Sequence, residues 1–212
     1  MQIKVNLFIV LLVSLLLTES LAQDYARVDG YAQSVPFPEK QNIPALAKAL
    51  SHDCKTEKET VRAFFIWIAE NIQYDIKGAQ NKEGAGLQER VARQTPRRVL
   101  QSKKGVCAGY SNLLVALCEA AGIQAFKVDG FTKDHDGKVS PEGHAWCLVR
   151  TDGAWGLIDP TWGAGEVSGD KYYKRLTKRI RSVGRAGCAR LPPGAITSMR
   201  NCKPLNRSCR KV

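Results

Sequence analysis

From Val61 to Ile72 the apolar positions return every three or four residues. Val61, Phe64, Phe65, Ile68 and Ile72 fall on one face of a helix. Ile66 and Trp67 widen that stripe until little of the circumference is polar, which predicts a helix buried on most of its sides. Ahead of it, Thr56-Glu57-Lys58-Glu59 has the form of a capping box, where hydroxyl and carboxylate satisfy orphan backbone donors. A shorter apolar stretch, Ile43 to Leu50, predicts a helix with Pro44 at an early position, where its missing N–H costs little. Thr95-Pro96 opens another helix through Leu100, and Lys103-Lys104-Gly105 closes it. Between Ala108 and Ala121 the helical period returns, with Tyr110, Leu114, Leu117, Cys118 and Ala121 to one side and Gly122 as the stop. Beyond Gly122 the pattern changes. Ile123 to Phe131 contains a β-prone run, and His144 to Arg150 and Ala154 to Asp159 read as two strands. Asn81–Gly86 and the charged stretch Thr132–Gly143 read as loops, and no internal repeat is present.

The two ends differ from this body. Lys4 precedes an apolar run from Leu7 to Leu17, and the small residues Ser20 and Ala22 follow. That is the pattern of a secretory signal over residues 1–22, with cleavage after Ala22. Eleven apolar residues are too few to span a bilayer, which takes about 20. No transmembrane anchor is expected, and the mature chain from Gln23 is expected to be secreted or periplasmic, in an oxidising compartment.

The formal net charge of +12 belongs to the other end. Residues 171–212 hold thirteen Lys and Arg and no Asp or Glu, whereas residues 23–170 sum to −1. A near-neutral body argues against nucleic acid as a partner. The tail also carries Cys188, Cys202 and Cys209, three of the seven cysteines, and shows no sustained period after Val183. It reads either as a disordered basic extension that binds anionic surfaces or as the product of a changed reading frame near Leu176. Residues 23–170 suffice for one domain. An odd cysteine count without paired CxxC spacing suggests neither a zinc ribbon nor a dense disulfide framework, although a disulfide at Cys54 or in the tail stays open.

Three residues carry candidate chemistry. Cys107 lies between Gly105 and Gly109 at the start of a predicted helix. The positive end of the helix dipole and the unpaired N–H groups there stabilise a thiolate and then an oxyanion, and the glycines are expected to admit a substrate. Alone, such a cysteine reads better as a small buried residue. His144 and Asp159 change that balance. Their strands join through Thr151-Asp152-Gly153. A two-residue loop at Thr151-Asp152 sets His144 opposite Asp159. A loop at Asp152-Gly153, a favoured turn pair, sets it diagonal. In both registers the two side chains share one face of the sheet, whereas a three-residue loop without a bulge separates them. A carboxylate beside the imidazole fixes its tautomer for a nucleophile–base–acid triad. His144 and Cys147, three apart on a strand, face opposite ways and cannot chelate together; no metal is expected, and no cofactor. No Asp-rich loop with calcium-ligand spacing is present.

Gly105-Val106-Cys107-Ala108-Gly109-Tyr110-Ser111, Gly143-His144-Ala145-Trp146 and Asp159-Pro160-Thr161-Trp162-Gly163 resemble the transglutaminase-like superfamily. So does the stretch from Trp67-Ile68 through Asn71-Ile72-Gln73-Tyr74-Asp75. The resemblance covers about residues 40–170. Its nearest flavour is the branch with bacterial secreted members and the kyphoscoliosis-peptidase and cytokinesis-associated proteins. It implies an α+β, papain-like fold in which the nucleophile helix packs on an antiparallel sheet, with Cys107 as nucleophile, His144 as base and Asp159 as orienting acid. It implies acyl transfer on protein or peptide amides, as a peptidase, amidase or cross-linking enzyme. The alternative is a binding or scaffold module that keeps the fold without turnover. Cys147 stands where many relatives have Asn. Lys171-Tyr172-Tyr173 begins like the relatives' further strands and then becomes the basic tail, so the sheet is open to being incomplete at its C-terminal strands.

Overall fold

The computed structural model describes residues 25–38, 40–80, 86–133, 138–168 and 171–174. Residues 1–22, expected to be a signal, the tail beyond Lys174 and most of the Asn81–Gly86 loop lie outside the described residues. Helices α1 (Ala26–Ser34), α2 (Ile43–Ser51) and α3 (Glu57–Asn71) come first. The tiny strand β1 (Gln73–Tyr74), helices α4 (Ile76–Gln80), α5 (Leu87–Arg93) and α6 (Pro96–Ser102), and β2 (Lys104–Gly105) lead to α7 (Cys107–Ala120). Strands β3 (Ala125–Lys133), β4 (Val139–Thr151) and β5 (Ala154–Ile158) form one antiparallel sheet in that order. Helix α8 (Pro160–Ala164) and the hairpin β6 (Gly165–Ser168) and β7 (Lys171–Lys174) follow. The fold is α+β, and α7 packs on β3 and β4.

Helix α3 is the axle. Its residues Thr60 to Ala69 are all buried, as an all-round apolar pattern requires. Helices α1, α2, α7 and α8 pack against it. Its start departs in detail from a capping box. The Thr56 hydroxyl accepts from Glu59 N, as expected, but the Glu59 carboxylate returns to Lys55 N, one residue before the cap. Helix α7 begins one residue before the predicted start and buries Gly109, Tyr110, Ser111, Leu113, Leu114, Leu117 and Cys118. Ala121, predicted on its buried side, is exposed, because the helix has already ended at Ala120. The Tyr110 hydroxyl donates to Ile72 O at 2.6 Å and so ties α7 to the end of α3.

Among the described residues of the expected loop Thr132–Gly143, all but Lys138 are in strands. β3 runs on to Lys133 and β4 starts at Val139, with Lys133 paired to Val139 across an irregularity after Phe131. Charged residues tolerate an exposed hairpin arm, so composition concealed the extension. The second hairpin takes the Asp152-Gly153 register, with Thr151 paired to Ala154. Both turn residues have positive φ, 51° and 79°, as a right-twisted two-residue hairpin needs. Asp152 N donates to the Glu57 carboxylate at 2.6 Å, and Lys58 pairs with Asp152 at 3.0 Å, which holds the tip on the start of α3.

Candidate active site

Cys107 is the first residue of α7, and its N-cap Val106 is extended and contributes no side-chain cap. The lead-in is held by the parallel pairing of Gln73 with Lys104 and Tyr74 with Gly105, and by Asp75 N donating to Gly105 O at 2.9 Å. Gly109 N and Tyr110 N donate to Val106 O. The N–H groups of Cys107 and Ala108 have no acceptor within the helix, as in any first turn. Cys107 is half-buried, at the wall of a cleft of about 950 Å³ whose other faces come from Tyr74, Asp75, Arg90, Gln94, Lys127 and Glu142. The flanking glycines do not admit a substrate as expected; they serve packing. A Cβ on Gly109 would come within 2.5 Å of Gln94 Oε1 and 2.9 Å of Val99, and Gly105 itself is buried against Gly109 and Val99.

His144 and Asp159 meet as the shared-face argument requires. His144 Nε2 lies 2.6 Å from Asp159 Oδ2. The carboxylate is fixed from its other side, where Oδ1 accepts from Thr161 N at 2.9 Å and Trp162 N at 3.1 Å. Asp159 is therefore also the N-cap of α8, with Pro160 in the first turn. Its side chain is fully buried, and that of His144 is 14% exposed. Cys107 is the other side chain that acts on the histidine ring. Burial is the largest influence on His144 and lowers its pKa. The hydrogen bonds to Asp159 and Cys107, with the charges of both, outweigh burial and raise it to about 9. The imidazole thus holds its proton at neutral pH.

Two indoles frame the ring. Trp162 stacks on it with centroids 5.0 Å apart and planes at 17°, and Trp146 lies tilted at 6.0 Å. Cys147 points away from His144, into the helix side, where its thiol donates to Ser111 O at 3.4 Å. The other described thiols are poor nucleophiles. Burial pushes Cys118 up to about 12, Cys147 well above the ordinary thiol value, and Cys54 upward. All four described cysteines are free, and no group of three or more metal-ligating side chains occurs among the described residues. Sequence reasoning had given no part to Gln94, whose amide meets Val106 across twelve residues of chain. No local pattern signals such a contact.

The pattern of the Transglutaminase-like superfamily matches residues 44–160. Kyphoscoliosis peptidase of Homo sapiens is 33% identical over 150 residues, which is 68% of this chain and 21% of that protein. Hillarin of Drosophila melanogaster is 24% identical, over 66% of this chain and 17% of its own length. The chain thus spans about a fifth of the length of these relatives. Among solved structures, a TGase shares 19% identity over 76% of this chain and 39% of its own, with a TM-score of 0.43. The periplasmic domain of TgpA from Pseudomonas aeruginosa shares 23% identity over 64% and 49%, with a TM-score of 0.42. Since the family pattern occupies more than half of its residues, the chain belongs to the transglutaminase-like superfamily.

Proposed function

We propose that the chain performs thiol-dependent acyl transfer on protein or peptide amides, with Cys107 as nucleophile, His144 as proton carrier and Asp159 as the acid that orients it. The single observation that carries the reading is His144 Nε2 at 2.6 Å from the buried Asp159 carboxylate, in a ring on which the helix-tip Cys107 also acts. In the reaction the Cys107 sulfur attacks the amide carbonyl and its proton rests on His144. Collapse of the tetrahedral adduct breaks the C–N bond, and His144 delivers that proton to the departing amine. A ring that keeps its proton at neutral pH suits this delivery. Water or an amine then resolves the thioester, giving hydrolysis or cross-linking. The reaction as written needs no metal or organic cofactor.

The organisation proposed with it is a signal over residues 1–22, a transglutaminase-like domain over 23–170 and a basic tail over 171–212, which places the chemistry outside the cytoplasm. Among the described residues no helix is long and apolar enough to cross a membrane. Peptide-amide hydrolysis and amine incorporation, measured on the mature chain and on Cys107→Ala, test the proposal. Both activities should vanish in the variant. Equal activity in the two forms would return the chain to the reading of a scaffold that keeps the fold without turnover.

A further inference from the structure

The acyl oxygen needs donors as it becomes an oxyanion, and the first turn of α7 offers backbone N–H groups on one side only. Gln94 stands on the other. It closes α5 as its C-cap and lines the cleft that Cys107 lines. The residue is held through its side chain and its backbone. Oε1 accepts from Val106 N at 3.0 Å, immediately before the nucleophile. Its backbone carbonyl accepts from Asn112 Nδ2, on the second turn of α7, at 2.9 Å. The missing Cβ of Gly109 makes the space in which Oε1 sits, since a Cβ there would lie 2.5 Å from it. With Oε1 committed to an N–H donor, the amide orientation is fixed and Nε2 is the group left over. Nε2 has no acceptor among the described residues. A half-buried amide anchored through Oε1, with its two N–H hydrogens unspent in the cleft that the nucleophile also lines, is a preorganised donor.

We infer that Gln94 Nε2 is a side-chain donor to the oxyanion, acting together with the backbone N–H groups of Cys107 and Ala108. The role rests on the acyl-transfer reading above. When the Sγ–C bond forms, the carbonyl π pair moves to oxygen, and Gln94 Nε2–H donates a hydrogen bond to the charge held there. When the adduct collapses, the pair returns, the bond to the leaving group breaks, and the N–H groups relax.

The test compares two reactions of the same sulfur. Alkylation by iodoacetamide displaces iodide and builds no oxyanion. Acylation by p-nitrophenyl acetate builds one and releases p-nitrophenolate. Both rates are followed at Cys107 by peptide mass, with Cys107→Ala as the blank, and their ratio cancels changes in the thiol itself. Gln94→Glu keeps an oxygen for Val106 N and removes the donor; Gln94→Ala removes both. The expected result is a ratio lowered about 10²-fold in each variant, the usual loss for one oxyanion donor. A ratio within about twofold of the parent in Gln94→Glu overturns the role and leaves Gln94 a packing residue, because about 0.4 kcal/mol is too little for such a donor. A parent chain that alkylates at Cys107 but takes no acetyl group fails one step earlier and overturns the acyl-transfer reading along with this role.

Discussion

At the scale of the residue, Asp159 does two jobs with two oxygens, and a substitution can separate them. Asp159→Asn keeps an oxygen for the N–H groups of Thr161 and Trp162, so the cap of α8 survives. It removes the carboxylate from His144, whose burial is then less opposed. The His144 pKa should fall from about 9 toward or below its ordinary 6.5, and an NMR titration of the ring protons reads this directly. A histidine whose folded pKa is raised contributes stability that is full below the unfolded value and is lost as pH rises through the folded one. The stability gap between the parent and Asp159→Asn should therefore be widest below about pH 6.5 and shrink as pH climbs through about 9, measured by urea unfolding. A gap that stays level with pH removes His144 as its source. Acylation of Cys107 should drop about 10²–10⁴-fold in the same variant, since both the tautomer and the imidazolium lose their support. The pairing of His144 with Asp159 could be read from the chain alone because a strand has a period of two, and either short register gives the same face. The Trp162 stack on His144 could not, because α8 must first turn the chain back over the ring.

At the scale of the element, a helix of barely more than one turn sets the carboxylate. Helix α8 is only five residues long and could not hold itself in water. It is held by packing against α3, and at Gly163 the approach is so close that a Cβ would come within 2.1 Å of the Phe65 ring tip. Phe65 is completely buried, so its ring has nowhere to go. Gly163→Ala should cost about 1–3 kcal/mol by overpacking. Because Asp159 caps this helix, acylation at Cys107 should also fall at temperatures where the variant is still folded. Thermal melting and the p-nitrophenyl acetate rate check the two halves, and an unchanged rate in a destabilised chain would show that α8 does not place Asp159. The elements themselves were visible in the chain where a period was sustained: α3, α7 and the β4–β5 hairpin all follow the apolar pattern. The β3–β4 arms were not, because these strand ends are largely exposed and carry no buried face to betray them. Gly163 was visible as part of a motif, but its reason is a ring nearly one hundred residues earlier.

At the scale of the whole molecule, α1 is tied to α3, the helix that carries the same Phe65 ring. Asp29 on α1 receives two hydrogen bonds from Arg62 on α3, Nε to Oδ1 and Nη2 to Oδ2, each 2.7 Å, and both residues are buried. The guanidinium lies over Phe65 at 5.9 Å, and Phe65 lies against Gly163 in the helix that Asp159 caps. Trp67 on α3 also donates to Val35 O at 3.0 Å, just past the end of α1. None of this follows from periodicity. Gly30 and Asp29 make Ala26–Ser34 a poor helix on paper, and the burial of Asp29 makes sense only once Arg62, thirty-three residues away, is in place. A buried pair of this kind is weak evidence of net attraction, since desolvation offsets much of the Coulomb gain. Breaking it is another matter. Asp29→Leu leaves a guanidinium uncompensated in the core and should cost about 3–5 kcal/mol. Arg62→Met alone strands the carboxylate and also loses the packing of the guanidinium on Tyr25 and Phe65, so it should be no milder. Asp29→Leu with Arg62→Met should recover most of the loss, because no buried charge is then left alone. Urea unfolding of the three variants decides it. If the double variant is as unstable as Asp29→Leu, the ion pair itself holds α1 in place; if it recovers, α1 is held by its apolar face and the pair only fixes which way that face is turned.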